Sequence, residues 1–119
     1  MLQRKFTTYL EDFLQNKPDK ILLVNGARQI GKSYLIRYVG KKLFAHYVEI
    51  NLKEDKEGDQ VFADVRSTND LYMRLSNYYP EPLGDKTNTL VFLDEIQSYP
   101  HLLTMLKFLN QEGRYRFIA

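Results

Sequence analysis

Two stretches of the chain place residue types at spacings suited to phosphate chemistry. Gly26-Ala27-Arg28-Gln29-Ile30-Gly31-Lys32-Ser33 reads G-x-x-x-x-G-K-[ST] in full. A phosphate group requires several backbone N–H donors turned toward one anion. Gly26 and Gly31 permit the backbone angles and the close approach that side chains would block. The run then opens into a helical pattern, whose free N–H groups and dipole add positive potential. The Lys32 ammonium suits the β- and γ-phosphates, and the Ser33 hydroxyl suits Mg²⁺. Residues 26–33, with Tyr34 following, are therefore the candidate nucleotide contacts. The bare pattern arises by chance in roughly one of a few hundred chains of this length. Its setting separates it from a glycine turn beside a surface lysine, because an apolar run precedes it and a helical run follows.

The second stretch is Leu90-Val91-Phe92-Leu93-Asp94-Glu95, four apolar residues followed by two acids. At the end of a strand, Asp94 suits Mg²⁺ through a water opposite Ser33. Glu95, on the other side, suits the removal of a proton from a water that attacks the γ-phosphate. Strand ends carry acids often, so this pair gains its meaning from the phosphate loop upstream. Both motifs fall at the carboxyl ends of expected strands, where open α/β sheets bind ligands. A guanine-nucleotide enzyme would show D-x-x-G after the apolar strand, but Asp94 is followed by Glu95-Ile96-Gln97.

Positioning these groups requires alternating helices and parallel strands. Residues 3–15 carry Phe6, Tyr9, Leu10, Phe13 and Leu14 at helical spacing, ending before Asn16-Lys17-Pro18-Asp19. Ile21-Leu22-Leu23-Val24 reads as a short strand buried on both faces. Residues 32–43 read as a helix with Leu35, Ile36, Val39 and Leu43 on one face. Residues 47–52 alternate, with Val48, Ile50 and Leu52 on one side and Tyr47, Glu49 and Asn51 on the other. The charged run 53–60 reads as a loop, and residues 61–65 as a turn or two of helix. Residues 69–79 read as a helix capped by Ser67 or Thr68. Residues 89–93 form a third strand. Residues 100–111 form a helix with Leu102, Leu106 and Leu109 inward, stopped at Gly113. Tyr115 to Ala119 begins a fourth strand. The expected fold class is α/β, a three-layer P-loop sandwich with helices flanking a parallel sheet.

The 119 residues match one domain able to bury about two thirds of its unfolded surface. With 44% apolar and 27% charged residues, the composition excludes disordered and collagen-like chains. Cysteine is absent, which excludes disulfides, zinc–thiolate sites and thiol catalysis. No apolar run approaches a membrane span and the N-terminus lacks an apolar signal core, so no membrane partner and a cytoplasmic location are expected. A net charge of +2 gives nucleic acid binding no support. The tyrosines Tyr9, Tyr38, Tyr47, Tyr72, Tyr78 and Tyr79 read as core or helix-face packing, and His46 and His101 lack metal-ligand spacing. Arg4, Lys5, Arg37, Lys41 and Lys42 read as solvated faces. Gln97 suits either a γ-phosphate contact or a loop-structuring bond.

The run Asn25 to Ser33, with Phe92-Leu93-Asp94-Glu95-Ile96-Gln97, resembles the prokaryotic AAA-type ATPases. In that family the loop reads G-x-R-Q-x-G-K-[ST] and the Walker B strand reads hydrophobic-D-E-[IV]-Q. Arg28 and Gln29 inside the loop and Gln97 after the acids carry the likeness, and it extends over essentially the whole chain. The resemblance implies ATP and Mg²⁺ as cofactors, Lys32 and Glu95 as catalytic groups, and Ser33 and Asp94 at the metal. It further implies that residues 1–119 are the N-terminal part of the ATPase domain. The fifth strand, the lid, both sensors, the arginine finger and a C-terminal domain of the same chain would then follow Ala119. Such a fragment is expected to bind ATP or ADP and to hydrolyse poorly. The expected function is Mg-dependent ATP binding and hydrolysis driving a change in a partner or downstream domain, with homo-oligomers as a further expectation. The alternative is a nucleotide-dependent switch acting on protein or nucleic acid with little turnover. A small-molecule phosphotransferase ranks below both, since no acceptor pocket can be named.

Overall fold

The computed structural model describes residues 2–17, 19–24, 32–52 and 64–119. Helix α1 spans Leu2–Asn16 and α2 spans Lys32–Leu43. Strand β1 follows at His46–Asn51. Helix α3 covers Thr68–Tyr78, β2 Thr89–Asp94, α4 Pro100–Glu112 and β3 Arg116–Ile118. A single 3₁₀ turn, Ile96–Ser98, links β2 to α4.

The strands form a 3-stranded parallel sheet in the order β1-β2-β3. Parallel neighbours cannot be joined by tight turns, so helices carry the crossovers and cover the sheet. β2 lies in the middle and is buried along its whole length. Its side chains alternate between two clusters. Leu90 and Phe92 pack with Ile118 of β3 against Leu10, Phe13 and Leu14 of α1 and Ile36 and Val39 of α2. Val91 and Leu93 pack with Val48 and Ile50 of β1 against Leu71 and Leu75 of α3 and Leu102, Leu106 and Leu109 of α4.

The alternation expected for residues 47–52 holds, with Val48, Ile50 and Leu52 each at most 2% exposed. Ser67 is the N-cap of α3, its hydroxyl accepting from the Asp70 amide at 3.1 Å. Gly113 ends α4 at φ 63°, a conformation that costs glycine nothing.

One expectation needs correcting. Residues 21–24 do not form a strand covered on both faces. Leu22 makes one parallel bridge to Ile118, with Ala119 donating to Leu22 at 2.9 Å and Val24 donating to Ala119 at 2.6 Å. The segment lies beyond β3, with no further strand beside it among the described residues, and this leaves Leu23 52% exposed. Tyr72 is buried and Tyr47, Tyr78 and Tyr79 are half-buried, whereas Tyr9 and Tyr38 are about half exposed, at 50% and 54%. Residues 25–31 and the expected loop 53–60 lie outside the described residues, as do residues 61–63; Val65 is fully buried.

Candidate functional site

The cleft of interest lies at the carboxyl ends of the strands, where α2 begins. Lys32 and Ser33 open α2, and Asp94 is the last residue of β2. The Ser33 hydroxyl donates to Asp94 Oδ2 at 3.1 Å, joining groups 61 residues apart in the chain. Lys32, Ser33, Asp94, Glu95 and Gln97 supply the polar lining. Val24, Ile36, Phe92 and Ala119 supply the apolar lining.

Asp94 is only 9% exposed. Its pKa is raised above the usual carboxylate range, chiefly because burial disfavours the charge; the Ser33 hydrogen bond opposes that shift, and the charges of Glu95 and Glu49 reinforce it. Such a carboxylate gains from a nearby cation. A serine hydroxyl beside a carboxylate oxygen is a hard-oxygen pair that fits Mg²⁺. Among the described residues no group of three or more His, Cys, Asp and Glu could cage a metal.

Glu95 follows at φ 61°, ψ 35°, the one non-glycine residue with positive φ among those described. Left-handed backbone costs a side-chain-bearing residue about 1–2 kcal/mol. Strain of this kind clusters at functional sites. The conformation turns the chain sharply out of β2 into the 3₁₀ turn, so Asp94 and Glu95 do not share a direction. The Glu95 carboxylate accepts from Gln97 Nε2 at 2.6 Å, which gives Gln97 the loop-structuring bond that was one of its two readings. Lys32 stands over α1, its ammonium 5.6 Å from the centre of the Phe6 ring. Tyr34 is 63% exposed and does not line the cleft. Gly26, Ala27, Arg28, Gln29, Ile30 and Gly31 lie outside the described residues.

Sequence reasoning missed a polar clamp beside this cleft. Arg37, assigned to a solvated basic face, instead forks onto Glu49 of β1, with Nε to Oε1 at 2.9 Å and Nη2 to Oε2 at 2.7 Å. The half-buried Tyr47 hydroxyl donates to the same Oε1 at 2.7 Å. Burial, then the bond to Glu49, pushes the Tyr47 phenol far up, and the Glu49 carboxylate raises Arg37. The signal was present in the sequence. Tyr47, Glu49 and Asn51 form the polar face of an alternating strand, and Arg37 stands one helical turn after Ser33. Lys42 stays on the solvated face, where it pairs with Glu11 at 3.2 Å.

Residues 18–119 match a family model described as an AAA domain (AAA_14). Comparison with curated proteins gave no match.

Proposed function

The chain belongs to the AAA domain family, whose members are nucleotide-binding and ATPase-like, and on that footing we propose that it binds Mg-ATP and hydrolyses it. The observation that carries this reading is the Ser33 hydroxyl set against Asp94 at the carboxyl ends of the strands. In this reading residues 26–33 are the Walker A loop and Leu90 to Glu95 the Walker B strand of a three-layer P-loop sandwich. Backbone amides of residues 26–31 and of the α2 N-terminus, Tyr34 included, wrap the phosphates. Lys32 leaves the Phe6 ring for the β- and γ-phosphates. Ser33 and Asp94 hold Mg²⁺, which would neutralise charge developing on the phosphoryl oxygens. Glu95 accepts the proton of the attacking water. Output passes to a partner or to a further domain of the same protein, with the oligomeric state part of the same proposal.

The bond between Gln97 and Glu95 favours a second reading, a switch in which the base is held back until a partner frees it. Calorimetry and phosphate release on the full-length protein separate the two. Lys32→Ala is expected to remove the Mg-ATP binding heat under either reading. Under the hydrolytic reading the wild type releases phosphate, and Glu95→Gln abolishes that release while retaining bound ATP. A wild type that binds Mg-ATP and releases no phosphate supports the switch. A wild type with no binding heat overturns both.

A further inference from the structure

Ser33 and Arg37 are one turn apart on α2 and meet adjacent strands. Ser33 reaches Asp94 on β2, and Arg37 reaches Glu49 on β1. The register pairs Asn51 with Asp94 and Glu49 with Phe92. Glu49 therefore sits on the same sheet face as Asp94, one same-face step back and one strand across. Strand geometry puts about 8 Å between their Cα positions, within reach of a glutamate side chain. Glu49 is thus a second carboxylate within a side chain's length of the proposed cation site, and its charge already acts on Asp94. Both of its oxygens are engaged, since each bonds Arg37 and Oε1 also accepts from Tyr47. Planar bidentate pairing is specific to arginine, and lysine cannot reproduce the fork.

We propose that Arg37 is a positioning residue of the metal–nucleotide site, locking the Glu49 carboxylate onto α2 so that Ser33 and Asp94 alone present side-chain oxygens to the cation. This rests on the Mg-ATP reading above. Freed from Arg37, Glu49 turns toward the cation as a competing ligand and sets an uncompensated negative charge near the triphosphate. The pair therefore works as a neutral unit. Removing the arginine alone is harmful, and removing both charges is not.

The test titrates Mg-ATP into the full chain by calorimetry at several Mg²⁺ concentrations, with ligand-free melting measured alongside. Arg37→Met is expected to weaken Mg-ATP binding on the order of tenfold and to change its Mg²⁺ dependence. Arg37→Met with Glu49→Gln is expected to recover affinity to within about twofold of wild type, although the fork is still missing. Glu49→Gln alone is expected to bind no more weakly than wild type, and this variant decides the matter should Arg37→Met fail to fold. A double variant as weak as Arg37→Met, an Arg37→Met indistinguishable from wild type, or a tenfold loss in Glu49→Gln overturns the proposal. In each of those results the wild type still binds Mg-ATP, so the functional reading survives. A wild type that does not bind removes both.

Discussion

Asp94 is held where its charge is costly. It is nearly buried at the end of the central strand, with one hydroxyl donor in Ser33 and two like charges, Glu95 and Glu49, acting on it. Its folded pKa lies above that of the unfolded chain, so the folded state takes up a proton more readily. The stability it contributes is complete below the unfolded pKa and is lost as pH rises through the folded value. At neutral pH the carboxylate is therefore a net cost to the ligand-free protein. Asp94→Asn keeps the shape and removes the charge. Ligand-free Asp94→Asn is expected to melt a few degrees above wild type at pH 7. The gap should close as pH is lowered toward the unfolded carboxylate range. The same variant is expected to lose the Mg²⁺ dependence of nucleotide binding. Melting curves across pH, with and without Mg-ATP, check both halves; a variant less stable than wild type at every pH would contradict the argument. A charge that costs the ligand-free protein stability fits the cation role proposed for Asp94.

Elements carry the site because they approach one another closely at particular residues. Gly40 of α2 is one: a Cβ built there would lie 2.5 Å from Tyr47 Cδ1 and 3.0 Å from Leu90 Cδ2. The glycine lets α2 settle onto β1 so that Arg37 and Tyr47 meet on Glu49. Gly40→Ala forces the Tyr47 ring aside, at a cost of about 1–3 kcal/mol for overpacking. It should also strip the Tyr47 hydroxyl from Glu49. The expected result is a lower denaturation midpoint with an unchanged m-value, together with a Tyr47 signal shifted in the aromatic NMR spectrum. An alanine variant with wild-type stability would show that α2 can back away freely. What the sequence discloses about these elements follows a physical division. Periodicity exposes what packs on one face, so α1, α2, α3, α4 and the alternation of β1 were legible, as was the pairing of Ser33 with Asp94, which needs only a strand end and a helix start. The burial of residues 21–24 was misread because a wholly apolar tetrapeptide looks the same in the middle of a sheet as at its edge; only the order β1-β2-β3 with Leu22 beyond it tells them apart. The Arg37–Glu49 fork was missed because it depends on strand register and on the depth of α2, and neither is a local property of the sequence.

At the scale of the whole molecule, α1 is the element whose importance the family match does not convey. The match begins at residue 18, after α1 has ended at Asn16. Yet Leu10, Phe13 and Leu14 are 0%, 6% and 6% exposed and share one core cluster with Ile36, Val39, Leu90, Phe92 and Ile118. Full burial of each such side chain stabilises by about 1.5–3 kcal/mol. The three together thus rival the roughly 5–15 kcal/mol that keeps a whole domain folded. Arg116 of β3 adds a polar tie: it is 4% exposed, and its guanidinium donates to the carbonyls of Leu14 at 2.9 Å and Lys17 at 3.2 Å. Burial pulls its pKa down, while the end of a helix, rich in free carbonyls, is where a cation is best placed. The folding unit is therefore larger than the matched region. Leu10→Ala is expected to lower stability by about 2–5 kcal/mol. Removing residues 2–16 is expected to abolish the cooperative melting transition and to expose an apolar surface that binds a hydrophobic dye. A cooperative transition in the shortened chain, with no dye binding, would place α1 outside the core. Because α1 also carries Phe6 beneath the Lys32 ammonium, its loss should disturb the cleft lined by Lys32, Ser33 and Asp94 even in any population that stays compact.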